Sequence, residues 1–303
     1  MDASCVISVL AAGEVVKAEV VGPGKFVLEN LPARRGKNQY AVVALSGRGT
    51  VDTLGLVEIT YYPPSPSYLA RSLDRGPSEE RVLALTFDGG SLNNAGDEIL
   101  DYLRAENVRA TFFLTGEFIR RYPETVRRIV REGHQVGNHT WSHPHLTSWE
   151  QNRRHSTLPG LTCERLHDEL RKTAELFRQV TGVEMSPYWR APYGEQNDEI
   201  RGWAAELGYR HVGWTLGRDV NHSMDTMDWV ADPRSPAYLT ADQIAERILR
   251  MAREEPCGAC GAIVLMHMGS ERNGDFPHRK LPEIIRGLKD LGYRLVTIGE
   301  MFP

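Results

Sequence analysis

The 303-residue sequence has no long hydrophobic run, little cysteine and no excess of positive charge. No stretch approaches the ~18–20 consecutive apolar residues of a membrane-spanning helix, so no transmembrane segment is expected. A formal net charge of −4 leaves no electrostatic footprint for nucleic acid, which is not expected as a partner. The arginine pairs Arg120-Arg121, Arg127-Arg128 and Arg153-Arg154 lie in polar sequence and read as solvated surface. The opening MDASCVISVLAAGEVV has an acidic residue where a signal peptide would be basic, and does not read as one. The cysteines are Cys5, Cys163, Cys257 and Cys260. CGAC at 257–260 is half of a zinc knuckle with no second pair, and it precedes a strand rather than opening a redox helix. It reads as a structural turn, with or without a disulfide.

What is present is an ordinary globular composition, 41% apolar and 25% charged. Residues 1–62 hold short valine-rich segments (EVVKAEVVG, KFVLENL, QYAVVAL, LGLVEITYY) separated by Gly, Pro and Asn, which predicts a small β-sandwich-like domain. A Pro/Ser-rich, charged stretch over 63–79 reads as a linker. From residue 80 to 303 strand patterns alternate with helical ones: VLALTF, RATFFL, HQVGNH, MSPYWR, YRHVGWTL, GAIVLMH and YRLVTI. Thr240 and Gln243 predict a capping box, and Gly292 a helix end. Such repetition predicts an α/β fold, a closed or nearly closed (β/α) barrel of about seven parallel strands. Residues 147–163 and the stretch from Gly217 to Leu239 read as long loops.

In such a barrel the chemistry sits where strands end. The strand ends place Asp88, His139, Arg190 and His267 at one face. His139 and His143 of HTWSH would stand ~13 Å apart if extended. One helical turn would bring them to roughly 6 Å, close enough to share an ion. His145, at i+2 from His143, would then face away.

TFDGG, HTWSH, RAPYG, DTMDW and LMH, with ATFFLTGEF and LPEIIRGLKDLGYRLVTI, resemble in order and spacing the polysaccharide deacetylase (NodB-homology, carbohydrate esterase family four) domain. The resemblance covers about residues 80–303 and not the N-terminal β region. It implies a hydrolase that removes acetyl groups, N-acetyl first among them, from an acetylated polysaccharide such as peptidoglycan or a chitin-like polymer. It also implies an extracellular or cell-envelope location and a divalent metal, zinc with Co, Ni or Mn as alternatives, that activates a water. By the same resemblance His139 and His143 are metal ligands, Asp88 the general base and Arg190 its holder. His267 protonates the leaving amine, with Asp228 fixing its charge. Tyr193 donates its backbone N–H to the oxyanion, and Trp214 lines the acetyl pocket.

One position departs from the family pattern. The usual second aspartate of the first motif, a third metal ligand, is Gly89 here. Water could fill the gap, as could His222, Asp219 or Asn94, or no metal binds. Two other readings follow: a non-catalytic carbohydrate-binding protein on a decayed deacetylase fold, and a metal-independent amide hydrolase of the same superfamily.

Overall fold

Valine-rich segments at the start of the chain form β1 (Val6–Ala11), β2 (Glu14–Lys17), β3 (Glu19–Gly22), β4 (Lys25–Val27), β5 (Gly36–Leu45) and β6 (Val51–Tyr61). The structure is a computed structural model that describes these strands and residues 65–217 and 222–302. The chain divides into two compact units, Met1–Ser65 and Pro66–Pro303. In the first, an antiparallel sheet has the order β2-β1-β5-β6, and β3 pairs with β4. Among its described residues Ser8, Val9, Tyr40 and Val43 are buried.

The second unit is a curled parallel sheet flanked by helices. Its strands are β7 (Val82–Gly89), β8 (Thr111–Leu114), β9 (Gln135–Asn138), β10 (Tyr188–Trp189), β11 (Arg210–His211), β12 (Ala262–His267) and β13 (Arg294–Leu295). The order is β11-β10-β9-β8-β7-β12, with β13 also paired to β7. Every expected strand segment is thus present, and the distorted barrel is the observed fold. β7 is buried along its whole length because it has neighbours on both edges and helices outside, which is why it reads as a continuous apolar run. Phe87 and Phe112 stack at 5.2 Å within this core. Thr240 and Gln243 form the predicted capping box on the helix Ala241–Arg253, and Gly292 takes φ 81° after the helix Leu281–Asp290.

The sheet does not close strand to strand. Leu73 bridges to Val212 beyond β11, and Arg75 bridges to Ala262 at the start of β12. Thr215 N–H donates to the Ile263 carbonyl at 3.0 Å, and Asp225 bridges to Leu265. The stretch expected as a linker over 63–79 therefore contributes, from Pro66 onward, to the second unit: its residues 73–76 fill the seam. Prolines and serines there suggested a tether, but the backbone groups of an open sheet need partners, and this segment supplies them.

Cys257 and Cys260 form a disulfide in the turn before β12, and the Arg75 Nε–H donates to the Cys260 carbonyl at 3.0 Å. β12 runs about 20 Å from this turn to His267, at ~3.3 Å per residue. Replacing both cysteines by serine is expected to lower the melting temperature without changing kcat or metal content. Loss of metal in that variant, measured by elemental analysis, would contradict the placement.

Candidate active site

The ends of β7, β9, β10 and β12 converge on a groove of about 1150 Å³ lined by Asp88, His139, His143, Tyr193, Trp214 and His267. Asp88 is the last inward-facing residue of its strand and is 5% exposed. Arg190, wholly buried just past β10, donates from Nη1 to Asp88 Oδ1 at 2.7 Å. Its other donors go to the Val212 carbonyl (Nε, 3.1 Å) and the Gly213 carbonyl (Nη2, 2.8 Å), and its plane lies 4.2 Å over the Phe113 ring. Burial alone would raise the Asp88 pKa, but Arg190, His139 and His267 hold its carboxyl below the usual range. Asp88 is ionised at neutral pH with one oxygen fixed and the other facing His139.

His139 Nδ1 lies 2.9 Å from the Arg190 carbonyl, so Nδ1 carries the hydrogen. Nε2 then presents its lone pair to Asp88 Oδ2 at 3.5 Å. Burial pushes the His139 pKa down, and that of His143 to about 3, with the neighbouring imidazole adding to the latter. The rings are 4.8 Å apart, edge to face. Two neutral imidazoles side by side, with a carboxylate 3.5 Å from one of them, are donors of the type a divalent cation takes.

HTWSH is not the helical turn expected from its spacing. Thr140 and His143 both take left-handed backbone conformations, φ 65° and 56°. Left-handed non-glycine residues cost ~1–2 kcal/mol each, and here carboxyl and amide groups from elsewhere hold the bend. Asn138 Oδ1 accepts the Thr140 N–H at 2.9 Å. Glu169, on α6 (Cys163–Thr181), accepts both the Trp141 and Ser142 N–H groups at 2.8 Å and the Ser142 hydroxyl at 2.9 Å. Glu195, 1% exposed, accepts the Leu146 and Thr147 N–H groups at 2.8 and 2.9 Å, and His145 Nδ1 at 2.9 Å. His145 does not face away: it stacks on Tyr193 at 4.2 Å in the groove. Sequence reasoning missed Glu169 and Glu195, and the only available signal was a buried-type position occupied by a carboxylate.

His267 is the register partner of Asp88 on the paired strand β12; Asp228 Oδ1 accepts from its Nδ1 at 2.7 Å, and Asp228 Oδ2 from its backbone N–H at 2.8 Å. Burial alone would lower the His267 pKa, but Asp228, then Asp88 and Asp225, raise it to about 9. Tyr193 stands at φ 58°, and its backbone N–H makes no hydrogen bond among the described residues. Trp214 lines the groove with Nε1 buried and unpartnered.

Gly89 is a packing position. A Cβ there would lie 2.7 Å from Leu114 Cδ2 and 3.1 Å from the Phe118 ring. Neither His222 nor Asn94 is left free to take the third-ligand place. His222 pairs with Glu254 at 3.1 Å, and Asn94 binds both backbone groups of Ser270 (2.8 and 3.0 Å). Asp219 lies outside the described residues. A separate cluster of Cys163, His167 and Glu206 is engaged internally: His167 Nε2 donates to the Trp203 carbonyl at 2.7 Å.

Residues 75–212 match the family model described as polysaccharide deacetylase. The chain is 33% identical over 229 residues to the peptidoglycan-N-acetylglucosamine deacetylase of Bacillus cereus, covering 75% of this chain and 70% of that protein. It is 29% identical over 226 residues to the peptidoglycan-N-acetylmuramic acid deacetylase PdaA of Bacillus subtilis, covering 75% and 73%. The crystal structure of a peptidoglycan N-acetylglucosamine deacetylase superposes with a TM-score of 0.62 at 30% identity, over 80% of this chain and 97% of that one. The chain belongs to the polysaccharide deacetylase family.

Glu169→Ala removes every acceptor for the Trp141–Ser142 turn, so metal affinity is expected to fall at least tenfold while the helical circular dichroism persists. Glu169→Gln keeps one carboxyl-like acceptor and should lose less. Unchanged dissociation constants in both variants, by titration of chelated protein, would show that the turn holds itself.

Proposed function

We propose that the protein removes N-acetyl groups from a cell-envelope glycan, peptidoglycan foremost, with a divalent ion held by His139 and His143. The observation that carries this is the placement, at the paired ends of β7 and β12, of two differently tuned pairs: Asp88 kept ionised by Arg190, and His267 kept protonated by Asp228. A base and an acid at one site is what hydrolysis of an amide requires.

When bound, a divalent ion would acidify a water molecule and polarise the acetyl carbonyl. Asp88 Oδ2, the oxygen not engaged by Arg190, takes the proton of the attacking water. The Tyr193 N–H donates to the oxygen as it gains charge. As the carbon–nitrogen bond breaks, His267 Nε2 gives its proton to the leaving amine, and Asp228 stabilises the imidazolium until then. Trp214 presents an apolar wall on which the acetyl methyl can rest.

The other two readings fit less well. A decayed, purely binding protein would have no reason to keep Arg190 and Asp88 buried together, since removing a charged pair from a core is often neutral or stabilising. A metal-free hydrolase would leave the lone pair of His139 against a carboxylate oxygen.

Asp88→Asn is expected to lower kcat by ~10²–10⁴. It keeps an acceptor for Arg190 but not its counter-charge, so the melting temperature should fall as well. Acetate release within a few-fold of wild type would rule out the assigned role. The pH dependence tests the other pair. His267 acts protonated, so kcat falls as pH rises through its pKa. Asp228→Asn removes the main influence raising that pKa and should move this basic limb down by roughly one unit or more. A limb that stays in place would mean that another group sets it.

A further inference from the structure

We propose, building on the deacetylase reading, that residues 147–157 form a subsite for a sugar bearing a carboxylate, with Arg153 as its anion-binding group. Arg153 is the one lysine or arginine among the described residues that line the groove. Its guanidinium has no hydrogen-bond or ion-pair partner among them, and its one ring contact is with Trp149, at 5.8 Å. The adjacent carboxylates do not neutralise it. Glu150 lies 3.4 Å from His145 Nε2, and Glu195 is spent on backbone N–H groups and His145 Nδ1.

The wall that carries Arg153 is built rather than loose. Thr147 bridges to Thr157, Ser148 N–H donates to the Ser156 carbonyl at 2.9 Å, and Asn197 Nδ2 donates to the His155 carbonyl at 2.8 Å. Arg153 itself ends α5 (Trp149–Asn152) at φ 58°, where glycine or asparagine would be cheaper. Asn152 Oδ1 accepts the Arg154 N–H at 2.9 Å and keeps this bend. Trp149 stacks flat on His155 at 4.6 Å and is 38% exposed.

A guanidinium without hydrogen-bond or ion-pair partner on a groove wall, beside a half-exposed indole, suits a sugar that offers a carboxylate to its fork. The ligand class is therefore an N-acetylated glycan in which a sugar next to the one losing its acetyl is acidic. That acid could be a lactyl ether, as in muramic acid, or a uronate. Arg153, which reads as solvated surface in the sequence, becomes a specificity-determining residue.

The test uses three length-matched glycans: peptide-free peptidoglycan strands, hyaluronan oligosaccharides and neutral chitooligosaccharides. Acetate release and binding by titration are measured for wild type, Arg153→Gln and Arg153→Lys. Arg153→Gln should lose at least fivefold more kcat/KM, through KM, on one acidic glycan than on the chitooligosaccharide, and Arg153→Lys should recover part of it. Which acidic glycan shows the loss identifies the lactyl or the uronate source. Equal losses on all three glycans, or no loss on either acidic one, would overturn the subsite. If wild type binds an acidic glycan in an Arg153-dependent way but releases no acetate, the deacetylase reading fails and the subsite stands. Wild type that binds no acidic glycan better than the neutral one overturns the subsite even if acetate is released.

Discussion

The buried ion pair between Arg190 and Asp88 is the constraint on which the site depends. Arg190 is wholly enclosed, and the carbonyls of Val212 and Gly213 together with Asp88 use its donors. A planar guanidinium held on three sides fixes the carboxylate plane in turn. Such a pair adds little net stability, because desolvation offsets most of the attraction. What it does is leave one oxygen of Asp88 committed and the other directed at His139. The same residue reaches the imidazoles through its backbone: the Arg190 carbonyl sets the tautomer of His139. One residue therefore orients both the Asp88 carboxylate and the His139 ring.

The imidazole pair rests on a second device, strain held by remote acceptors. Thr140 and His143 are left-handed without being glycine, and the bend between them has few internal hydrogen bonds. Glu169 fills that gap from a helix, and Glu195, in the turn after β10, holds the following Leu146 and Thr147. Strained backbone of this kind persists when its surroundings over-determine it, and it concentrates at functional sites. The packing beneath is equally restrictive: Gly89 leaves room for Leu114 and Phe118 rather than holding open a place for a carboxylate.

Much of this was legible in the sequence, for reasons that are local. Continuous apolar runs marked the buried parallel strands, and the polar residue closing each run marked the site, which is how Asp88, His139, Arg190 and His267 could be read together. What was not legible depended on partners far along the chain. The HTWSH spacing suggested a helical turn because i and i+4 are neighbours in a helix, yet an acceptor 28 residues away holds a different bend with a similar outcome. Residues 73–76 looked like a tether because seam-filling has no periodicity of its own. Arg153 looked solvated because nothing in its neighbourhood reveals that it faces a groove.

The central claim is that Asp88 and two neutral imidazoles form a hydrolytic centre that works with a divalent ion. Acetate release from an N-acetylated glycan, followed on chelator-stripped protein and during stepwise return of zinc, tests it most directly. The account predicts no release from stripped protein and full recovery near one equivalent of metal per chain. Release at the same rate before and after metal is returned would contradict it.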